Sequence, residues 1–522
     1  MTETLTSISM PPAFPRSRLD VQVTGGLVRG TAEDGVLAWR GIPYAAPPVG
    51  ELRFRAPQPV VPWVGNRDAS RFGRIAPQPY KSQFKGARPS VPAGEDCLTV
   101  NVLRPPSASR RQLGRPVMVF IHGGGYSVGS SQDFTGRGES FVRTGRVIYV
   151  SFNYRLGALG YLDFSRYSTP ERPLESNLGL RDQVAALRWV HDNIRAFGGN
   201  PHNVTVFGES AGANAVLHLM ATPAAAGLFT RAIAQSPPTS ASFSHALTEG
   251  WASEFVAELR SLRTDASTLS AHELLTSAPV ADLTRAAVAL QARTPDANPG
   301  TFCLVPVVDG DFLPERVLDA FRHGTVHRVP LIIGTNEREG SLFRGRVDIL
   351  PQSPMRIAAI FDHAPVSSHD AMRSVYASLP AKRSSSDFGG DFVFWYPSLQ
   401  IGDFHSRVAP VYAYRFDLAP RLMHLLGIGA THGIELFALF DHVDGPTARA
   451  MSLLGGRELF INAGERMRLH WLRFACTGRP DDTWPTYSES DRLTLIIDEV
   501  DRIESDPRGE RRAVWQEFLP NF

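Results

Sequence analysis

The segment that most restricts this chain is Gly208-Glu209-Ser210-Ala211-Gly212, because of what stands on either side of it. The run Val204-Thr-Val-Phe207 before it has the β-branched, apolar character of a buried strand, and residues 211–220 after it read as a helix. A strand that passes directly into a helix has to turn within a few residues. Small residues at both flanks allow such a turn, which thrusts the serine side chain out at the carboxyl edge of the sheet. The same turn sets Ser210 at a helix N-terminus, where unpaired N–H groups and the helix dipole favour developing negative charge.

The rest of the chain supplies the sheet that this turn requires. Val117-Met-Val-Phe-Ile121 and Val147-Ile-Tyr-Val150 are short, continuous and β-branched, as strands covered on both faces are. Between Gly179 and Ala196, Leu180, Val184, Leu187 and Ile194 recur at helical spacing, and Gly198 and Gly199 are expected to end that helix. Ala232-Ile-Ala234 reads as the next strand, so strand, helix and strand alternate and parallel pairing follows. Leu331-Ile-Ile333 and Val411-Tyr-Ala-Tyr414 continue the sheet, and Leu493-Thr-Leu-Ile-Ile497 is expected to close an edge.

Upstream, residues 21–44 read as short antiparallel strands with a turn at Asp34-Gly35, followed by a loop-rich stretch to about Glu95. Residues 240–325 and 345–410 read as helical and loop material laid over the sheet. With no internal repeat or linker, the expectation is a flexible segment at 1–19 and one large α/β domain over 20–522. That domain holds a mostly parallel sheet with helices on both faces.

Composition removes several functions. With 54 basic and 52 acidic residues the net charge is only +2, which gives no reason to expect nucleic acid or an anionic membrane as partner. The lysines are Lys81, Lys85 and Lys382, and none follows a glycine, so no phosphate-cradling loop ending in Gly-Lys exists. Cys97, Cys303 and Cys476 make no metal-binding spacing. No stretch approaches the roughly 20 apolar residues of a membrane-spanning helix. The first 20 residues lack a basic region and apolar run of the secretory kind, so a cytoplasmic protein is expected.

His122-Gly-Gly-Gly125 follows the strand ending at Ile121 and can bring backbone N–H groups close to a substrate. The N–H groups of Gly124, Gly125 and Ala211 are candidates for holding an oxyanion, each donor typically contributing about 3 to 4 kcal/mol to its stabilisation. A serine nucleophile needs a histidine base oriented by a carboxylate. In a fold with this turn the acid and then the histidine follow the serine, which removes every histidine before Ser210. His432, in the tight loop Gly429-Ala-Thr-His-Gly433, stands out, with His405 and His424 as competitors. Glu339, just after the strand at 331–333, is the candidate acid and Glu337 its rival; periodicity does not separate them.

These residues, taken together, resemble the type-B carboxylesterases, the family of bacterial para-nitrobenzyl esterases, liver carboxylesterases and cholinesterases. The markers run from about residue 20 to about 518: Gly41-Ile-Pro-Tyr-Ala45, Arg53-Phe54, Glu95-Asp-Cys-Leu98, the His122 loop, Asn153-Tyr-Arg-Leu-Gly157, Asn177-Leu-Gly-Leu-Arg-Asp-Gln183, Ala196-Phe-Gly-Gly199, the Ser210 turn, Arg338-Glu-Gly340 and His432-Gly433. The resemblance implies the α/β-hydrolase fold and an esterase acting through an acyl-enzyme, with Ser210, Glu339 and His432 as triad, Gly124, Gly125 and Ala211 as oxyanion hole, and Glu209 tuning the site's charge. It implies no metal or organic cofactor, a small uncharged ester of short or medium acyl length as substrate, and a monomer or homodimer. Amide, carbamate or lactone hydrolysis on the same triad is the alternative, and a non-catalytic cholinesterase-like binding module a remote one.

The resemblance also pairs Arg53 with Glu95 as a structural ion pair. Cys97 matches half of a family disulfide whose partner position falls at Ala76, so that bridge is expected to be missing, in keeping with a reducing compartment. No tryptophan stands in Lys81 to Gly94 to stack on a quaternary ammonium. Pro237-Pro238 replaces the glycine usual after Gln235-Ser236, and a different local turn is expected there. Phe229, Phe243, Phe255 and Trp395 are candidate apolar lining for the substrate.

Overall fold

Each central strand can bury both faces because its apolar run has no polar phase. In the computed structural model, which describes residues 17–80, 90–106, 114–241, 243–265, 267–343, 345 and 347–520, these runs form the middle of an 11-stranded sheet. The strands in chain order are β1 (Asp20–Val23), β2 (Gly26–Arg29), β3 (Thr31–Glu33), β4 (Val36–Pro43), β5 (Asn66–Asp68), β6 (Thr99–Arg104), β7 (Arg115–Ile121), β8 (Ile148–Phe152), β9 (Gly199–Glu209), β10 (Arg231–Gln235), β11 (Leu331–Asn336), β12 (Val411–Phe416), β13 (Leu493–Ile497) and β14 (Arg502–Ser505). The large sheet runs in the order β14-β13-β12-β11-β10-β9-β7-β8-β6-β4-β3, parallel from β13 to β8 and antiparallel at both ends.

Strand periodicity divides the side chains between two cores. On β7, Val117, Val119 and Ile121 enter one hydrophobic cluster while Met118 and Phe120 enter the other. Leu331 and Ile333 of β11 likewise face away from Ile332. Each such side chain contributes about 1.5 to 3 kcal/mol over leaving it in water, and a polar residue at any of these positions would forfeit that.

Helix α1 (Leu178–Asn193) returns the chain from β8 to β9, and α2 (Ala211–Ala221) carries it on to β10. From β7 the chain moves one way along the sheet, to β8; from β9 onward it moves the other way. The strand order therefore reverses between β7 and β9, and a crevice opens outside their carboxyl ends, the place where doubly wound sheets bind ligands. Above the sheet lie α3 (His245–Ser261) and α4 (Val280–Ala297), with further short helices over 354–405; α5 (Arg457–Thr477) and α6 (Gly509–Phe518) follow.

Several sequence expectations are met in detail. Asp34 and Gly35 both have positive φ, 48° and 76°, the conformation of a two-residue hairpin turn, and they join β3 to β4. Arg53 grips Glu95 through two hydrogen bonds of 2.7 and 2.8 Å and also donates to the Thr276 and Ala278 carbonyls. Cys97 is a buried free thiol, and Ala76 is buried with it.

Other expectations need correction. Leu493–Ile497 does not close the sheet, because β14 pairs antiparallel beyond it. Gly199 does not end a helix; Gly198, with φ of 88°, does so alone, and Gly199 opens β9. Strand β6, for which the sequence carried no expectation, is wedged antiparallel between β4 and β8. The short antiparallel strands expected over 21–44 are present, the first two pairing with each other and, through β2, with β5 in a small separate sheet. Of the segment expected to be flexible, residues 1–16 lie outside the described residues, whereas the Leu19 carbonyl accepts from Gly30 N and from Trp39 Nε1.

Candidate active site

The turn after β9 is as tight as its sequence demands. A side-chain carbon on Gly212 would lie 2.1 Å from the Ile121 carbonyl oxygen, and one on Gly208 would lie 2.6 Å from Gly212 itself. With both glycines in place, Ser210 adopts φ 57° and ψ −125°, a strained conformation that heads α2 and is pinned by a 2.9 Å bond from its N–H to the Gln235 carbonyl. Strain of this kind is worth about 1 to 3 kcal/mol and persists only where the surroundings enforce it.

Alongside it, the chain leaving β7 passes through Gly124 at φ 107°, where a side-chain carbon would strike the Val128 carbonyl at 2.2 Å. His122 takes no part in the cavity. It is buried and stacks on Tyr154 at 4.4 Å, and burial pushes its ring down to about 4. Among the described residues, no acceptor engages the N–H of Gly124, Gly125 or Ala211. Gly125, Ser210 and Ala211 line one cavity; Gly124 sits one residue behind its wall.

Glu339 and His432 meet from two different loops. The Glu339 carboxylate accepts from His432 Nδ1 at 2.7 Å through Oε2, while Oε1 accepts from Ser236 Oγ and Asn336 N, both at 2.6 Å. Four further bonds stitch the loops together: Arg338 N to the Ala430 carbonyl (2.9 Å), Asn336 Nδ2 to the Thr431 carbonyl (2.8 Å), and Ser341 Oγ to the Ile428 carbonyl and to Thr431 Oγ1 (both 2.7 Å). Glu337 does not join this network through its side chain. Of the competing histidines, His405 is buried elsewhere with Nε2 against the Val329 carbonyl, and His424 is exposed.

The other face of the imidazole points toward Ser210's strand. His432 Nε2 lies 3.2 Å from Glu209 Oε1, outside hydrogen-bonding geometry, and the ring packs against Phe394 (4.5 Å) and Phe343 (5.3 Å). Both phenylalanines line the Ser210 cavity, so the serine and the histidine's flanking rings share one space. Burial alone would depress the imidazole, but the Glu209 and Glu339 carboxylates outweigh it and raise the ring to about 9. Burial, reinforced by Glu435 and Glu339 against the opposing pull of His432, raises Glu209 to about 8. Burial also lifts Glu435 to about 7, although Asn336 Nδ2 donates to it at 2.6 Å.

Sequence reasoning missed Ser236, Asn336 and Glu435, which orient this pair, and it chose the wrong aromatic residues for the cavity. Phe229 and Phe255 belong to the main core, Phe243 packs at its margin, and Trp395 lies beneath the Arg508 guanidinium. The cavity is walled instead by Phe302, Phe343 and Phe394 with Leu304, Val305 and Ile349, and no charged side chain stands among the described residues that line it. A hydrophobicity pattern marks such residues as buried without saying against what. The region 81–89, where a choline-stacking residue would matter, lies outside the described residues. Among the described residues no helix is long and apolar enough to cross a membrane, and no cluster of His, Cys, Asp and Glu could hold a metal ion.

Comparison with known proteins bears on this geometry. A model of the carboxylesterase family matches residues 17–515. The para-nitrobenzyl esterase of Bacillus subtilis is 36% identical over 95% of this chain and 97% of its own, and the phenmedipham hydrolase of Pseudarthrobacter oxydans 32% identical over 91% and 94%. A solved PNB esterase superposes with a TM-score of 0.83 at 35% identity, covering 95% of this chain and 99% of that one.

Proposed function

Because the chain belongs to the carboxylesterase family and is a carboxylic ester hydrolase, we propose that it works by two-step acyl transfer from Ser210. Ser210 Oγ attacks the ester carbonyl while His432 Nε2 takes its proton, and the N–H groups of Gly124, Gly125 and Ala211 hold the oxyanion that develops. His432 then protonates the departing alcohol, and a water molecule repeats the sequence on the acyl-enzyme. Glu339 keeps the Nδ1 proton in place and stabilises the imidazolium. Glu209 holds that charge from the other side.

The observation that carries the reading is the 2.7 Å bond between Glu339 and His432, both buried, on a ring flanked by two walls of the Ser210 cavity. Only an imidazole with its tautomer fixed in this way leaves Nε2 free to act as a base. The substrates are uncharged esters of short to medium acyl length. A charged group would lose its hydration in this apolar space without an ionic partner.

Ser210→Ala tests the reading directly: a folded protein whose turnover of p-nitrophenyl esters falls to background supports it, and retained turnover overturns it. On the unaltered enzyme, a rate maximum at acyl chains above about twelve carbons would overturn the substrate assignment.

A further inference from the structure

The glycines at 123–125 let the loop approach a substrate, but they also leave it with no side chain of its own by which to be held. The first side chain after them is Tyr126, and it stands at φ 54°, a left-handed conformation that a bulky residue enters only when its surroundings require it. Its carbonyl accepts from Gly157 N at 2.8 Å and its ring packs on Tyr161 at 4.1 Å, and its hydroxyl is held by a buried amide on the nucleophile's own helix. Tyr126 Oη donates to Asn214 Oδ1 at 2.7 Å, the Asn214 Nδ2 group donates to the Pro238 carbonyl at 2.9 Å, and Asn214 N donates to the Ser210 carbonyl at 2.9 Å. The carbonyl of Pro238 can only accept, which fixes the amide's orientation.

Asn214 is wholly buried in a helix whose only other polar side chain is His218, one turn on, and a buried amide is tolerated only with both ends satisfied. Its three partners belong to three of the segments that line the cavity: the Ser210 turn, the glycine loop with Tyr126, and the Pro238 to Ala241 stretch.

We propose that Asn214 is a positioning residue, which through Tyr126 sets the Gly124 and Gly125 N–H groups at the distance from Ser210 where the oxyanion forms; this rests on the assignment of nucleophile and oxyanion donors made above. Asn214 and Tyr126 touch no reacting atom. They act on the rate of attack rather than on substrate affinity, because misplaced donors fail the transition state and not the ground-state carbonyl.

The test uses Tyr126→Phe, which removes one hydroxyl and no ring packing, with Asn214→Ala and the double variant. A trifluoromethyl ketone serves as probe: its carbonyl carbon takes the serine oxygen, its own oxygen becomes the anion, and the hydroxyl proton passes to His432. The matching methyl ketone reports ground-state binding. The expected result for Tyr126→Phe is a kcat lower by about tenfold to hundredfold with KM changed less than about threefold. Trifluoromethyl ketone affinity should fall by the same factor and methyl ketone affinity hold. The double variant should be no worse than Asn214→Ala, since the pair acts as one.

An unchanged kcat in Tyr126→Phe overturns the inference, as does equal loss of affinity for both ketones with a lowered melting temperature, which would mark a merely structural bond. Ser210→Ala separates the two claims. Retained turnover there sinks the nucleophile assignment itself, whereas a dead Ser210→Ala beside a normal Tyr126→Phe sinks only the role of Asn214.

Discussion

The Ser210 turn and the glycine loop are made of backbone, whereas the meeting of Glu339 and His432 is made of side chains. In the first, two short stretches do the positioning, and the demand on sequence is steric: a side-chain carbon at Gly212 or Gly124 would collide with a carbonyl at 2.1 or 2.2 Å. In the second, loops 93 residues apart at their key contact are joined by carboxylate, amide and hydroxyl groups, any one of which has alternatives. The backbone half tolerates almost no substitution but needs little help. The side-chain half depends on each donor and acceptor being the right way round.

That contrast predicts different failures. Glu339→Gln should be the most damaging change short of removing Ser210 or His432. Ser236 Oγ and Asn336 N both donate to the Oε1 position, so a glutamine will keep its oxygen there and turn its NH2 group toward His432 Nδ1. The imidazole must then accept at Nδ1 and carry its proton on Nε2, the wrong tautomer for taking one from Ser210. We expect kcat to drop by about 10³- to 10⁴-fold with the fold intact, measured by steady-state kinetics beside a circular dichroism melt. A loss under tenfold would break the distinction, since orientation by hydrogen bonds would then matter little.

Gly124→Ala attacks the other half. The added carbon needs the loop to move away from Val128, and the Gly124 and Gly125 N–H groups move with it. The expected fall in kcat is about 10²- to 10³-fold, accompanied by a lower melting temperature because φ of 107° is closed to alanine. The two variants sharpen the comparison through stability: Glu339→Gln should leave the melting temperature nearly unchanged and Gly124→Ala should not.

The same contrast explains what could be read from the sequence. Gly208, Gly212 and the His122 glycine loop were legible because close packing of backbone leaves glycine as its record, and β7, β9, β10 and β11 because burial on both faces leaves an unbroken apolar run. Strand β6 was not, since Asn101 breaks its run: that buried amide serves Gly41 N, Ser131 Oγ and the β8 backbone, contacts no local pattern announces. Ser236, Asn336 and Glu435 were invisible for the same reason, their partners standing about 100 residues away. Residue chemistry alone left Glu339 level with Glu337 and put His432 ahead of His405 and His424 without excluding them, and family resemblance supplied the choice. Phe343 and Phe394 could not be told from Phe229 and Phe255 because an aromatic side chain reads as buried in either place.

The smallest predicted effect concerns charge rather than geometry and sits where the halves touch. Glu209 belongs to the backbone half, adjoining Ser210, yet its carboxyl lies 3.2 Å from His432 Nε2. His432 must be neutral to accept a proton, so activity rises with pH as the ring loses its own. With the ring lifted to about 9, the acidic limb of kcat/KM lies well above the 6.5 of a free imidazole. Glu209, raised to about 8, titrates with the ring as a pair, and the limb reports the two together. Glu209→Gln replaces a group that can be anionic by one that cannot, which destabilises the imidazolium and lowers its pKa. The limb should therefore move toward acid, by roughly one pH unit, with the plateau rate changed only a few fold. A limb that stays in place would mean that Glu209 is neutral wherever the base works and that Glu339 alone sets the charge on the imidazole, and a shift toward alkali would overturn the stabilising role given to Glu209.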